Sequence, residues 1–306
     1  MTTRVRMAGY QGDGSVHTLA LRALADKLDS GLFATEITPD ITGSGHRAAD
    51  LLTLTEQGDL EICYFAASYL GDRVAEIELL DLPFLITDRS TGYELFDGPL
   101  GADIYRKLVA NSGYRILGWW DNGFRHLTSA KSAIRTPADC TGQKIRTMGN
   151  APQHQRVLAA MGFTTEALDV RELMPAIATG SVDAQENPLT NIWNFKIHEY
   201  HRWITLTGHF FGPSLLLCNA DFYNSLTDSE RTELDRAATS ATAIQREHAA
   251  TEDALVTTRL AETDNEIIRL TAPEFTAFRE AVQPVVDSVL GRFPVETTAM
   301  LPPLTQ

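Results

Sequence analysis

Arg125, Arg146 and Asn187 each stand at the end of a strand-like segment. The segments read Gly118-Trp-Trp-Asp-Asn-Gly-Phe-Arg-His-Leu-Thr128, Pro137-Ala-Asp-Cys-Thr-Gly-Gln-Lys-Ile-Arg-Thr147 and Gly180-Ser-Val-Asp-Ala-Gln-Glu-Asn-Pro188. In open α/β sheets, ligands settle just past the carboxyl ends of strands. A guanidinium grips a carboxylate through two parallel charge-assisted bonds. An amide beside it adds one kind of donor and one kind of acceptor. These are the groups that recognition of an organic acid requires. A strand-end arginine is also a common surface charge or structural ion-pair partner, so the three residues alone leave both readings open.

Other chemistries lack their signatures. There is no GxGxxG, no GxxxxGK[ST], no HExxH, no GxSxG and no EF-hand loop. Gly12 and Gly14 approach a dinucleotide loop, but His17 occupies the place of the third glycine. His198 and His201 have a spacing that suits a metal on a helix, with no cysteine cluster to support it. Cys63, Cys140 and Cys218 form no CxxC pair and allow at most one internal disulfide, so zinc-ribbon and thioredoxin chemistry are not expected. Neither a metal nor a cofactor is expected.

The elements that must position these residues are legible as a βα series. Val5 to Tyr10 reads as a strand, Val16 to Leu28 as a helix capped by Ser15, Phe33 to Ile41 as a strand and Arg47 to Gln57 as a helix. Leu60 to Ala66 is a continuous apolar run, typical of a strand covered on both faces. That order predicts a mostly parallel sheet flanked by helices. A second series starts after Gly113, with strands at Tyr114–Trp120, Phe124–Thr128, Lys144–Met148, Ser181–Ala184, Arg202–Thr207 and Ser214–Cys218. Helices are expected at Gln153–Met161, Glu172–Ala178 and Leu189–Ile197. Thr227-Asp-Ser-Glu230 has capping-box spacing and opens a nearly unbroken helical stretch to about Asp264. At 1.5 Å per residue it is roughly 50 Å long, more than one small domain needs.

Composition narrows the class. Of 306 residues, 26 are Lys or Arg and 40 are Asp or Glu, a net charge of −14. That balance argues against nucleic-acid binding and against docking on anionic lipid. Hydrophobic residues make up 43%, enough for a folded core. No apolar stretch reaches the ~18 residues of a membrane span. The first ten residues show no signal-peptide h-region, which fits either a cytoplasmic protein or a mature form whose leader has been removed.

The three segments, in this order, resemble those of substrate-binding proteins of the tripartite ATP-independent periplasmic (TRAP) transporter family. The likeness runs from about residue 5 to 290. It includes Leu80-Asp-Leu-Pro-Phe-Leu85, Gly123-Phe-Arg125, Gly142-Gln-Lys-Ile-Arg146, Val182-Asp-Ala-Gln-Glu-Asn-Pro188 and Leu206-Thr-Gly-His209. One departure is Ala184, where the family's usual residue is glycine.

The resemblance implies a two-lobed α/β periplasmic-binding-protein-like fold with a hinge and a long lobe-spanning helix. One lobe would hold 1–122 and 213–252, the other 123–212 and 253–306, with the ligand in the cleft between. It implies that Arg146 forms the salt bridge with the ligand carboxylate, with Asn187 beside it and Arg125 completing the anion site. Glu186 and His209, with Arg47, would form a hinge-side polar network. Gln11, His17, Phe65, Ser68 and Trp120 are candidates for the remaining ligand contacts from the opposite lobe, and Asp169 and Phe211 from the second. The expected protein is a monomeric periplasmic receptor that hands a small organic acid to the integral membrane subunits of a TRAP transporter. A hydroxylated or sugar acid suits the polar candidates. Trp119, Trp120, Phe210 and Phe211 leave an aromatic or branched-chain keto acid open. A sensor on the same fold, or a two-lobed enzyme using His126 or His209 as a base, are the rival readings.

Overall fold

The computed structural model describes residues 2–303. Nine strands follow in chain order: β1 (Thr3–Ala8), β2 (Phe33–Thr38), β3 (Ile62–Ala66), β4 (Tyr114–Ser129), β5 (Lys144–Met148), β6 (Thr164–Leu168), β7 (Ala184–Pro188), β8 (Trp203–Asn219) and β9 (Glu266–Arg269). The chain divides into two compact units, one of Met1–Ala67, Ala102–Asn122 and Pro213–Glu252, the other of Ser68–Gly101, Gly123–Gly212 and Asp253–Gln306. The expected lobes placed all of 1–122 together, and this is corrected for residues 68–101. Gln153 ties that stretch down by donating to the backbone carbonyls of Glu78 and Asp81 at 2.8 and 3.0 Å. Phe96 stacks on Phe211, with ring centroids 5.8 Å apart.

In the first unit β1 lies parallel to β2 and β3, and β3 runs antiparallel to the C-terminal part of β8. Every residue of β3 is buried, as its unbroken apolar run requires. The helix Val16–Lys27 starts at Ser15, whose side chain accepts from the Thr18 N–H, and buries Leu21 and Leu24 against Val5, Met7, Ile62 and Leu216.

In the second unit β4 pairs antiparallel with β7, and β5 runs parallel to both β6 and β7. β9 pairs parallel with the start of β8. Leu127, Ile145, Ala184 and Phe210 from the strands bury against Val157 and Leu158 of the helix Pro152–Ala160 and Phe278 of the helix Ala272–Leu290.

Four elements differ from the sequence reading. β4 and β8 are each continuous where two strands were expected, and each has residues in both units. Glycines interrupt their apolar patterns: Gly123, for example, sits at φ +85°, open to glycine but strained for other residues. β6 carried no strand signal because most of it is partly or fully exposed and it has no apolar stripe. β7 lies several residues beyond the expected Ser181–Ala184. Its Gln185, Glu186 and Asn187 are polar but buried, so hydropathy hides the strand. The long helix spans Asp228–Ala261, and its capping box forms, with the Thr227 N–H donating to Glu230 at 2.8 Å and the Glu230 N–H to Thr227 Oγ1 at 3.3 Å.

Candidate functional site

Residues paired across strands leave a sheet on the same face, and the face alternates along each strand. The register Thr128↔Gln185 and Gln185↔Arg146 therefore puts these three on one face, with Asn187 next along β7. Arg125, paired with Pro188, and Glu186, paired with Leu127, leave on the other.

Arg146 is buried, 2% exposed, and donates its Nε and Nη2 to the carbonyl of Leu168 at 3.0 and 2.7 Å. It has no ion-pair partner among the described residues. Burial lowers its pKa, while Tyr69, Glu186 and Asp169 favour its charge and Arg125 opposes it. The guanidinium stays charged all the same. Two cations within mutual electrostatic reach, only one of them paired, make a local positive field in an acidic protein. The Tyr69 phenol lies in that field: burial pushes its pKa up, against the pull of Arg146 and Arg125. Asn187 is held by its neighbours. Its Nδ2 donates to Gln185 at 2.5 Å, and its Oδ1 accepts from Asn191 at 3.3 Å.

On the other face, Arg125 forms a close bidentate pair with Glu186, with Nη2 to Oε1 at 2.8 Å, and also donates to the Glu186 carbonyl at 2.9 Å. Both side chains are fully buried. His209 Nε2 stands 3.6 Å from the same carboxylate and His154 Nδ1 3.8 Å. His154 Nε2 in turn lies 3.4 Å from Asp81. Burial works against the Glu186 carboxylate, yet Arg125 and the two histidines hold it well below the usual range. Burial also opposes the His154 imidazolium, and Asp81 with Glu186 raises its pKa in spite of it. Sequence reasoning had Glu186 and His209 but missed Asp81 and His154. Asp81 was visible as an acid inside the apolar run Ile77–Ile86, whereas nothing around His154 announced it.

The other expected site residues are distributed as follows. Ser68 lines a cavity of about 400 Å³ in the second unit with Tyr69, Asp81, Asn150 and Gln153. Asp169 caps the helix Val170–Thr179, accepting from the Arg171 N–H at 3.1 Å. Phe211 is a core residue whose ring would collide with a Cβ on Gly92. Trp120 is also core, its Nε1 donating to Thr242 at 3.2 Å. Phe65 is buried with its ring 5.0 Å from that of Tyr10. The Gln11 N–H donates to the Tyr64 hydroxyl at 3.2 Å, and its buried Oε1 has no partner among the described residues. His17 stacks on Tyr64 at 4.7 Å, and neither of its ring nitrogens has a partner there either. Arg47 is corrected: it is exposed in the loop ahead of the helix Asp50–Gln57 and pairs with Asp50 of that helix's first turn at 3.4 Å, so a nearby acid engages it. His198 and His201 do not converge, since His198 stacks on Trp193 and His201 bonds Thr128.

Buried histidines set a pH dependence. Burial lowers the pKa of His17 and His126 to about 3 and of His201 to about 4. In the unfolded chain each titrates near 6.5. Below that value the unfolded state takes up protons the folded state refuses, so stability falls with falling pH. The window runs from 6.5 down to about 4 for His201 and to about 3 for His17 and His126, and each histidine contributes up to about 1.4 kcal/mol per pH unit. Glu186, with its lowered pKa, adds to the loss below its unfolded value. His154, with its raised pKa, stabilises below 6.5 and loses that effect above. Urea unfolding at pH 7, 6 and 5 is expected to show a midpoint that drops steeply toward pH 5. A flat profile would mean these imidazoles are hydrated in the native protein.

The arrangement suits an α/β solute-binding protein: a buried arginine with no ion-pair partner among the described residues stands on the sheet face that also carries Asn187. The chain belongs to the bacterial extracellular solute-binding protein family 7, whose pattern matches residues 17–292. A solute-binding protein of Verminephrobacter eiseniae is 33% identical over 174 residues, covering 57% of this chain and 51% of that protein, so the chain spans about half of that relative's length. A TRAP periplasmic solute-binding protein from Bordetella bronchispeptica, with ligand density assigned as pantoate, superposes with a TM-score of 0.90 at 25% identity, over 98% of both chains. The sugar acid binding protein of Advenella mimigardefordensis in complex with galactonate gives a TM-score of 0.91 at 26% identity, over 97% of this chain and 95% of that one. The TRAP resemblance and the α/β fold read from the sequence are borne out. No helix among the described residues is long and apolar enough to cross a membrane.

Proposed function

We infer that this chain is the extracytoplasmic receptor of a TRAP transporter, taking an organic acid by its carboxylate on Arg146. The observation that carries this reading is the buried Arg146 guanidinium, bonded only to a backbone carbonyl. A buried charge without a counter-ion costs several kcal/mol, which an anionic ligand would recover. Asn187 on the same face supplies amide contacts, and Arg125 supplies field rather than a direct grip, because Glu186 already engages it. A hydroxylated or sugar acid is favoured, and the galactonate-bound relative supports that choice. Trp120, Phe210 and Phe211, which would serve an aromatic ligand, are core residues.

The receptor acts as a monomer in the periplasm and delivers its ligand to integral membrane subunits. Neither rival base suits an enzyme. The neutral His126 accepts the Gly208 N–H at 3.0 Å, and burial lowers the pKa of His209, which sits against Glu186.

A thermal-shift screen against sugar acids, dicarboxylates, amino acids and neutral sugars tests the reading. Ligand binding to the native state raises the melting temperature by mass action. Sugar acids are expected to raise it and neutral sugars to leave it unchanged. A shift from neutral sugars alone would overturn the carboxylate assignment.

A further inference from the structure

The side chains behind Asn187 form a closed buried chain that the carboxylate reading does not use. His201 Nδ1 lies 2.8 Å from Thr128 Oγ1, and Gln185 Nε2 donates to the same hydroxyl at 2.8 Å. Gln185 Oε1 then accepts from Asn187 Nδ2, and Asn191 donates to Asn187 Oδ1. All five residues are buried. Gln185 engages Thr128 with one end of its amide and Asn187 with the other, and Asn191 holds the far end of Asn187, so the Asn187 amide is tethered on both sides in the orientation these bonds draw. In that orientation Asn187 keeps one N–H and one Oδ1 lone pair without a partner among the described residues.

Arg146 offers donors only. A carboxylate needs nothing more. An oxygen on the next carbon needs more if it is a hydroxyl, because a hydroxyl both donates and accepts. The position is right for that atom. Arg146 is anchored level with Leu168 at the end of β6, and continuing the β5–β7 register sets Asn187 at the same level on the far side of β5. Arg146 pairs with Gln185 in the β5–β7 register, so Asn187 is its diagonal neighbour on the same face, and a ligand seated on that face can meet both side chains.

We propose that Gln185 is a specificity-determining positioning residue that, with Thr128, His201 and Asn191, fixes Asn187 as a paired donor and acceptor and so selects 2-hydroxycarboxylates. The proposal rests on the Arg146 reading and narrows it. Plain carboxylates and 2-deoxy acids leave the Asn187 acceptor buried and unpaired, and a site built for a hydroxyl penalises its absence.

Calorimetry on matched pairs tests it: gluconate against 2-deoxygluconate, glycerate against 3-hydroxypropionate, and lactate against propionate. The native protein is expected to prefer the 2-hydroxy member of each pair that binds by at least about tenfold, the effect of one good hydrogen bond. Gln185→Leu should bring that ratio close to one while leaving affinity for the 2-deoxy member nearly unchanged. Thr128→Val, which removes the hydroxyl that holds Gln185, should lower the ratio in the same direction and stands in if Gln185→Leu does not fold. A native ratio near one in every pair overturns the proposal even if acids bind. So does an equal loss for both members in the variants, which is what a merely structural role would produce. Binding of no acid at all would instead remove the Arg146 reading, and this one with it.

Discussion

Arg146→Ala is expected to weaken binding of the preferred organic acid by about a hundredfold or more. A hydrogen bond to a charged group is worth about 1.5–3 kcal/mol net, and a guanidinium can supply two to a carboxylate. Each 1.4 kcal/mol is about tenfold in affinity. Arg146→Lys keeps the charge but loses the fork, so an intermediate loss is expected. The same substitution should have little effect on the empty protein. Alanine deletes a buried, unpaired cation, and the Leu168 carbonyl loses two donors, two effects of opposite sign. The unfolding free energy without ligand is therefore expected within about 1 kcal/mol of the native chain's. Titration calorimetry and urea unfolding on one preparation separate the outcomes. A large stability loss with unchanged affinity would make Arg146 a structural residue.

Glu186→Gln is expected to do the reverse, with a large loss of stability. Glutamine keeps the shape and removes the charge. This breaks the buried Arg125–Glu186 ion pair, a loss of about 3–5 kcal/mol. His154 also loses one of the two acids that raise its pKa. The urea midpoint should fall far more than for an average core substitution. A double variant, Glu186→Gln with Arg125→Met, should recover much of the loss, because the orphaned charge is gone. If Glu186→Gln unfolds within about 1 kcal/mol of the native chain, water must reach Arg125 and the buried-pair description fails.

These two arginines mark how far the sequence could be read. Both stood at strand ends in motifs that carry the family, and both were assigned to one anion site. Their types and order along the chain sufficed for that, as did the alternating strand and helix signals for the α/β class. What separated them was strand parity. Arg125 and Arg146 lie on different strands, and only the pairing of β4 with β7 and of β7 with β5 shows that they leave on opposite faces. A one-residue change of register exchanges the faces, and no local signal in the sequence fixes it when the strand is polar throughout.

The same limit explains β7 itself and the residues missed around it. Gln185 and Glu186 are buried because each finds a partner distant in sequence, Thr128 and Arg125, and Asn187 is joined to the same chain through Gln185 and Asn191. Hydropathy prices such residues as exposed, since burying a polar group is favourable only when its hydrogen bonds are supplied elsewhere. Phe211 and Trp120 show the opposite limit: they are aromatic residues near the motifs whose burial depends on packing against Gly92 and a bond to Thr242, which the sequence does not display. The sequence by itself determined the α/β class, the family, the long capped helix and the identity of the charged groups. The tertiary structure alone decided which of those charges are paired with one another and which has no ion-pair partner among the described residues. Pairing depends on distances between residues far apart in the chain, and those distances exist only once the strands are in register.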